Sequence, residues 1–242
     1  MHSILKFNIK QWAAWAPQIE NTEDWQRWCD EPYPPSGAQA PDSSAIPAMQ
    51  RRRLNRITRM VHYVVNQIDG SEHLPQVYCS RHGDLPKSTE LLVQLAHQEP
   101  LSSLNFGLSV HNAVAGNVSI LQHNTQPITS IAAGAQGIAS AVLEAVTQAR
   151  EHHGDVLLVV YDEQVPDVYA AKLGYRHNVA FAYALLIGEG DDFEMTWGES
   201  PQTDEAFELP PELMFFAWFL KGKPSTWTIT TAHTQWQWRQ VK

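Results

Sequence analysis

Pro127-Ile128-Thr129-Ser130-Ile131-Ala132-Ala133-Gly134-Ala135-Gln136-Gly137-Ile138-Ala139-Ser140-Ala141-Val142-Leu143-Glu144-Ala145 reads as a short apolar strand, a tight turn containing glycine, and a helix. Strand, sharp turn and helix together form the layout of a nucleophile elbow, which projects one side chain at a helix N-terminus. A cysteine at the apex would be held as a reactive thiolate by the helix end. The apex residue here is Ala135, which offers a methyl group.

The flanking sequence extends the same alternation. Leu5 to Ala16 predicts a first strand, and Pro17 to Pro47 an irregular crossing or lid, broken by Pro32, Pro34, Pro35 and Pro41. Leu54, Ile57, Val61 and Val64-Val65 recur at helical spacing, predicting one helix from Ala48 to about Ile68, closed by Asp69-Gly70. Val77 to Ser80 reads as a strand, and Ser88 and Thr89 as caps of a helix from Glu90 to Gln98 with Leu91, Leu92 and Leu95 on one face. Leu101 to Asn105 reads as a connection and Val110 to Leu121 as a helix with a small-residue centre. The 127–133 strand and 136–150 helix follow. Val156 to Tyr161 is a continuous apolar run, typical of a strand covered on both faces. Val179 to Ile187 predicts another strand and Gly188 to Asp192 a turn, while Leu213 to Leu220 and Thr226 to Trp238 read as strand-rich pieces. Strands alternating with helices predict a layered α/β fold with crossover units.

The composition narrows the function classes. The 242 residues are 43 % hydrophobic and only 18 % charged, with nine Trp and eight Phe, which argues for an ordered core. A net charge of −9 makes the chain a poor nucleic-acid or anionic-membrane binder. The one basic run, Arg51-Arg52-Arg53 with Arg56 and Arg59, reads either as a solvated helix face or as a patch for an acidic partner. Two cysteines, Cys29 and Cys79, do not make a disulfide scaffold and point to a reducing compartment. With no span of membrane length and no signal pattern at the N-terminus, the expected location is cytoplasmic.

Other chemistry is poorly supported. Eleven histidines include the adjacent pair His152-His153, which projects to different helix faces. His62, His73, His82 and His97 lack ligand spacing, so neither a metal nor a cofactor is expected. No Gly-x-Ser-x-Gly surrounds Ser130, and Cys79 reads as a buried inert thiol at the end of a strand. Asp162 and Glu163, adjacent on a strand, face opposite ways and make no acid–base pair.

Asn112-Ala113-Val114-Ala115-Gly116, then Val118-Ser119-Ile120, Pro127 and the elbow, resemble the β-ketoacyl-ACP synthases of the thiolase superfamily. Cys79-Ser80-Arg81-His82-Gly83, Ser88-Thr89, Leu91-Leu92 and Val156 to Val160 are similar to flanking segments of that family. The resemblance implies the N-terminal half of a thiolase-like fold over residues 1–190 and a short strand-rich extension over 191–242, together one truncated domain. The family pattern runs without a gap from Asn112 to Gly137 and sets Ala135 where the nucleophilic Cys stands. A shift of one residue sets Gln136 there instead. Glutamine replaces the Cys in chain-length factors and decarboxylating ketosynthases of this family, whereas a bland reading makes Gln136 a first-turn residue bonding a backbone group. The two histidines of the family's Glu-Ala-His-Gly-Thr-Gly and Lys-Ser-x-x-Gly-His motifs have no counterpart in this sequence. Losing the members of a catalytic unit together removes the route to condensation.

The resemblance therefore implies no catalytic residue and a chain-length factor, of the aryl polyene kind, paired with a catalytic ketosynthase. It places His111, Asn112, Ala113, Ala115, Gly116, Ser130, Ala132 and Gly134 at the partner interface, and makes acyl carrier protein a second partner. Two other readings stand beside it: a decarboxylase or acyl-handling enzyme using Gln136 or an unrecognised nucleophile, and a module that binds carrier protein through the Arg51–Arg59 patch.

Overall fold

The fold is that of a computed structural model, which describes residues 4–200 and 207–242. Part of the expected C-terminal extension, residues 201–206, lies outside the described residues. Seven strands form one mixed sheet: β1 (Ile4–Trp15), β2 (Gln76–Cys79), β3 (Ile128–Ile131), β4 (Val156–Asp162), β5 (Phe181–Glu199), β6 (Ser225–Thr230) and β7 (Thr234–Gln240). β3, β2 and β4 lie side by side and parallel. β5 runs antiparallel to β4 along its first half and to β7 along its second, and β1 pairs along its other side. β6 closes the hairpin with β7. The helices are α1 (Thr22–Asp30), α2 (Ala48–Arg51), α3 (Arg56–Val65), α4 (Leu85–Ala96), α5 (Ser103–Ser109), α6 (Ala113–Gln122), α7 (Gly137–His152), α8 (Asp167–Ala170) and α9 (Pro211–Leu220).

The two-residue period of the central strands sorts side chains into two hydrophobic layers. Val156, Leu158 and Val160 of β4, with Phe181, Tyr183 and Leu185 of β5, face α1, α7 and α9. Leu157, Val159 and Tyr161, with Ala182, Ala184 and Leu186, face α3 and α6. The layered α/β arrangement read from the sequence is thus present, with helices on both faces of the sheet.

Several local readings are corrected. The 48–68 helix is two helices, because the Asn55 side chain accepts from the Thr58 amide and starts α3 afresh. α4 begins at Leu85 behind an Asp84 cap, five residues before the expected start. Of its expected face only Leu91 is buried, while Leu92 and Leu95 are exposed. Residues 101–105 lead into α5 behind a Ser102 cap, and α6 starts at Ala113 rather than Val110. The crossing at 17–47 contains α1, started by Asn21 and anchored by buried Trp25 and Trp28. Gly188 to Asp192 is no turn: β5 continues through it as an irregularity opposite Phe7 and Asn8, where the Asp192 amide donates to Asn8 Oδ1.

Residues 213–220 are helical, not strand. An unbroken apolar run carries no period that separates strand from buried helix. Pro211 at the first position and Glu212 in the first turn are the helix signals that decide it. α9 is buried nearly all round, with Phe216 stacked on Tyr183 at 4.4 Å and edge-on to Trp25 at 5.3 Å. It covers α7 and α1 on the face away from α3 and α6.

Candidate functional site: an elbow at an open sheet edge

The elbow is built as the sequence reads. β3 ends at Ile131, Gly134 takes the left-handed conformation (φ +56°), and a single 3-10 turn, Gly134–Gln136, runs into α7. Only glycine adopts that conformation at little cost, so Gly134 fixes the sharpness of the bend. Ala132, Gly134 and Ala135 are exposed and Gln136 is half-buried. Gln136 precedes α7, but its side chain makes no capping bond, so the backbone-bonding role read for it is absent. No thiol, hydroxyl or imidazole stands at the apex.

β3 is the last strand of the sheet. It pairs with β2 on one side, and among the described residues nothing pairs on the other. Ser130 lies on this edge strand. Asn112, just before α6, and Gly116, on it, are exposed, and His111 and Ala113 are half-buried. Ala115 is 1 % exposed and belongs to the α3/α6 layer with Val114 and Val118, so it faces the core and not the surface.

Beside the elbow, the turn after β2 is locked by a buried carboxylate. Asp162, at the end of β4, accepts from Ser80 Oγ at 2.7 Å, the His82 amide at 3.0 Å and the Arg81 amide at 3.1 Å. Burial pushes its carboxyl up, against the pull of these bonds. His111 Nε2 lies 3.0 Å from the Ser80 carbonyl, which ties the residue before α6 to the same turn. Tyr175 hydroxyl meets His82 Nε2 at 3.2 Å, and the Arg81 guanidinium lies over the Tyr175 ring. Burial holds His82 below the ordinary histidine range. Glu163, the neighbour of Asp162, turns away and pairs with Arg56 at 2.8 Å. That pair removes Arg56 from the basic patch, whose exposed members are Arg52 and Arg53.

Cys79 is buried, and burial followed by the charges of Glu212 and Asp162 pushes its thiol well above the ordinary range. Burial and a raised pKa are what an unreactive thiol at a strand end would show. The buried carboxyl of Glu212 was not singled out from the sequence. The lone charge in Pro211-Glu212-Leu213-Met214-Phe215-Phe216 is the signal that could have found it. Nor was the apolar surface of α4 to α6 foreseen. Leu92, Leu95, Leu104, Phe106, Val110 and Ile120 are each between 42 % and 68 % exposed, on helices that touch in series. Monomers rarely leave so many large apolar side chains together in water. Among the described residues no three His, Cys, Asp or Glu side chains are grouped to hold a metal ion, and no helix is long and apolar enough to cross a membrane.

Residues 25–239 match the model of the β-ketoacyl synthase N-terminal domain. The chain belongs to the β-ketoacyl synthase family. Its thiolase-like ketosynthase fold continues into a strand-rich C-terminal end. A chain in the structure of the ketosynthase ApeO in complex with its chain length factor ApeC, from Xenorhabdus doucetiae, is 29 % identical with a TM-score of 0.84; the match covers 98 % of this chain and 100 % of that one. The ishigamide ketosynthase/chain length factor matches at 11 % identity and a TM-score of 0.73, over 97 % of this chain and 98 % of that one. A β-ketoacyl synthase from Burkholderia phymatum STM815 matches at 11 % identity and 0.58, over 84 % and 66 %. At 11 % identity these last two speak for the fold alone. No curated protein matches the chain.

Proposed function

We propose that this ketosynthase-like chain is a non-catalytic chain-length factor, which pairs with a catalytic β-ketoacyl synthase and shapes its acyl tunnel. One observation carries the reading: an intact elbow holds Ala135 at its apex beside a sheet edge that no strand covers among the described residues. Condensation needs a nucleophile to take the acyl chain. Here the apex is a methyl, and the nearest thiol, Cys79, is buried with its pKa driven up. The open edge of β3 and the exposed side chains of α6, α5 and α4 supply backbone donors and apolar area for a partner. The similarity to a chain solved in a ketosynthase/chain length factor complex supports the same partner and favours the aryl polyene setting. Arg52 and Arg53, exposed on an otherwise acidic protein, suit acyl carrier protein as a second partner. Residues 1–190 and 191–242 act as one truncated domain in this reading. Neither Gln136 nor Ser130 is assigned a chemical role.

The test is co-expression with a catalytic ketosynthase from the same operon. The expected result is a one-to-one complex on size exclusion, and no acyl adduct on this chain by mass spectrometry after incubation with acyl carrier protein. An acyl adduct on the isolated chain, or a monomer indifferent to the ketosynthase, overturns the reading.

A further inference from the structure

Glu212 is the most anomalous side chain of the described residues. It is 1 % exposed, and neither carboxyl oxygen meets a hydrogen-bond donor. Oε1 lies 2.8 Å from the point where a Cβ on Gly137 would stand, and Cys79 Sγ lies 3.4 Å from that point. The first turn of α9, the end of β2 and the first residue of the elbow helix therefore meet at one contact.

The groups that act on it come from several elements around it. Cys79 lies on β2, Asp162 at the end of β4, Tyr183 on β5, Tyr175 after α8 and Arg81 in the turn after β2. The Tyr183 hydroxyl donates to the backbone carbonyl of Glu212 and not to its carboxyl. Among these groups Arg81 alone is cationic, and it lies over Tyr175 without bonding Glu212. An ionised carboxylate buried without a donor from another residue is strongly disfavoured. The seated form is accordingly the neutral acid.

We propose that Glu212 is a proton-operated latch between α9 and the elbow: neutral, it seats against Gly137, and on ionisation it withdraws and frees the elbow from its backing. Burial, then the charge of Asp162, places its pKa at about 7 against the weaker pull of its own backbone amide and of Arg81, inside the ordinary range of solution conditions. The elbow and β3 belong to one strand–turn–helix unit, so loosening at Gly137 is felt at the sheet edge. The consequence for pairing rests on the heterodimer reading; the latch does not. A partner that binds only the latched form loses affinity about tenfold for each pH unit above the pKa.

Two readouts test the latch in the full-length chain from about pH 6 to about pH 9. One is amide exchange across residues 133–140, corrected for intrinsic rates, and the other is affinity for the ketosynthase. Exchange should rise with a midpoint near the Glu212 pKa and affinity should fall, while Glu212→Gln flattens both. Glu212→Met, which fills the space without titrating, takes its place if the glutamine variant does not fold. Exchange that is pH-independent, or that changes alike in wild type and variant, overturns the latch. A ketosynthase that binds at no pH sinks the heterodimer reading and leaves the exchange arm to decide the latch.

Discussion

Replacing Asp162 with alanine should unfasten the turn beside the elbow. Its two oxygens serve three donors: Ser80 Oγ and the amides of His82 and Arg81. Each buried donor left without a partner costs about 1–3 kcal/mol. Arg81 and His82 are only half-buried, so water satisfies part of their need, whereas Ser80 is fully enclosed. The expected net loss is about 3–4 kcal/mol, a large share of a stability that for most domains is about 5–15 kcal/mol. Asp162→Asn keeps one acceptor and turns an N–H toward a donor, so it should lose about half as much. Urea unfolding with an unchanged slope measures both values. The loss should appear as well in the His111 ring resonances, because that ring bonds the Ser80 carbonyl. A loss below about 1 kcal/mol for Asp162→Ala would refute the idea that this carboxylate organises the turn.

Gly137→Ala should destabilise by about 1–2 kcal/mol, since overpacking against Glu212 and Cys79 outweighs the better helix propensity of alanine; a double-mutant cycle with Glu212→Ala that shows no coupling contradicts the contact. Ala135→Cys should place a thiol on an exposed apex that alkylates readily yet yields no condensation product, and turnover by that variant alone would return catalysis to this chain. Phe106→Asp should weaken ketosynthase pairing tenfold or more without lowering the melting temperature; a large drop in melting temperature would make Phe106 a core residue. The raised pKa of Glu212 means that its neutral form stabilises fully below the ordinary glutamate value, and this benefit is lost as pH rises to about 7. Denaturant unfolding should therefore find wild type about 3 kcal/mol worse off at neutral to alkaline pH than in mild acid, with the difference abolished in Glu212→Gln; identical pH profiles would contradict it.

The elbow, the parallel strands and the layered plan were legible because each has a local signature. Gly134 can supply the left-handed turn, and Val156 to Tyr161 is apolar without interruption. What failed were features decided by neighbours. The run Leu213 to Leu220 looks alike as buried strand or buried helix, and the signals that make it a helix, Pro211 and Glu212, lie just outside it. The 188–192 segment has turn composition, yet Asn8 on a distant strand holds it in the sheet. Ala115 shares a small-residue motif with exposed Gly116, but the helix phase turns it inward. Glu212 and the apolar surface of α4 to α6 escaped because burial and exposure are tertiary facts. A leucine on a helix face reads the same whether a core or water lies opposite.

The pairing of β1 with β5 sets the order of folding. Trp15 is matched to Ala182 and Ile4 to Thr196, so the strand made first waits for one made late. Until β5 emerges, Phe7 and Trp15 have no sheet to enter and the central β4 has only β2 beside it. Contacts of such sequence separation carry a heavy loop-closure cost before they return any free energy, which slows folding. The nascent chain thus exposes strand edges and aromatic side chains until β5 is made, an interval in which such species are prone to aggregate.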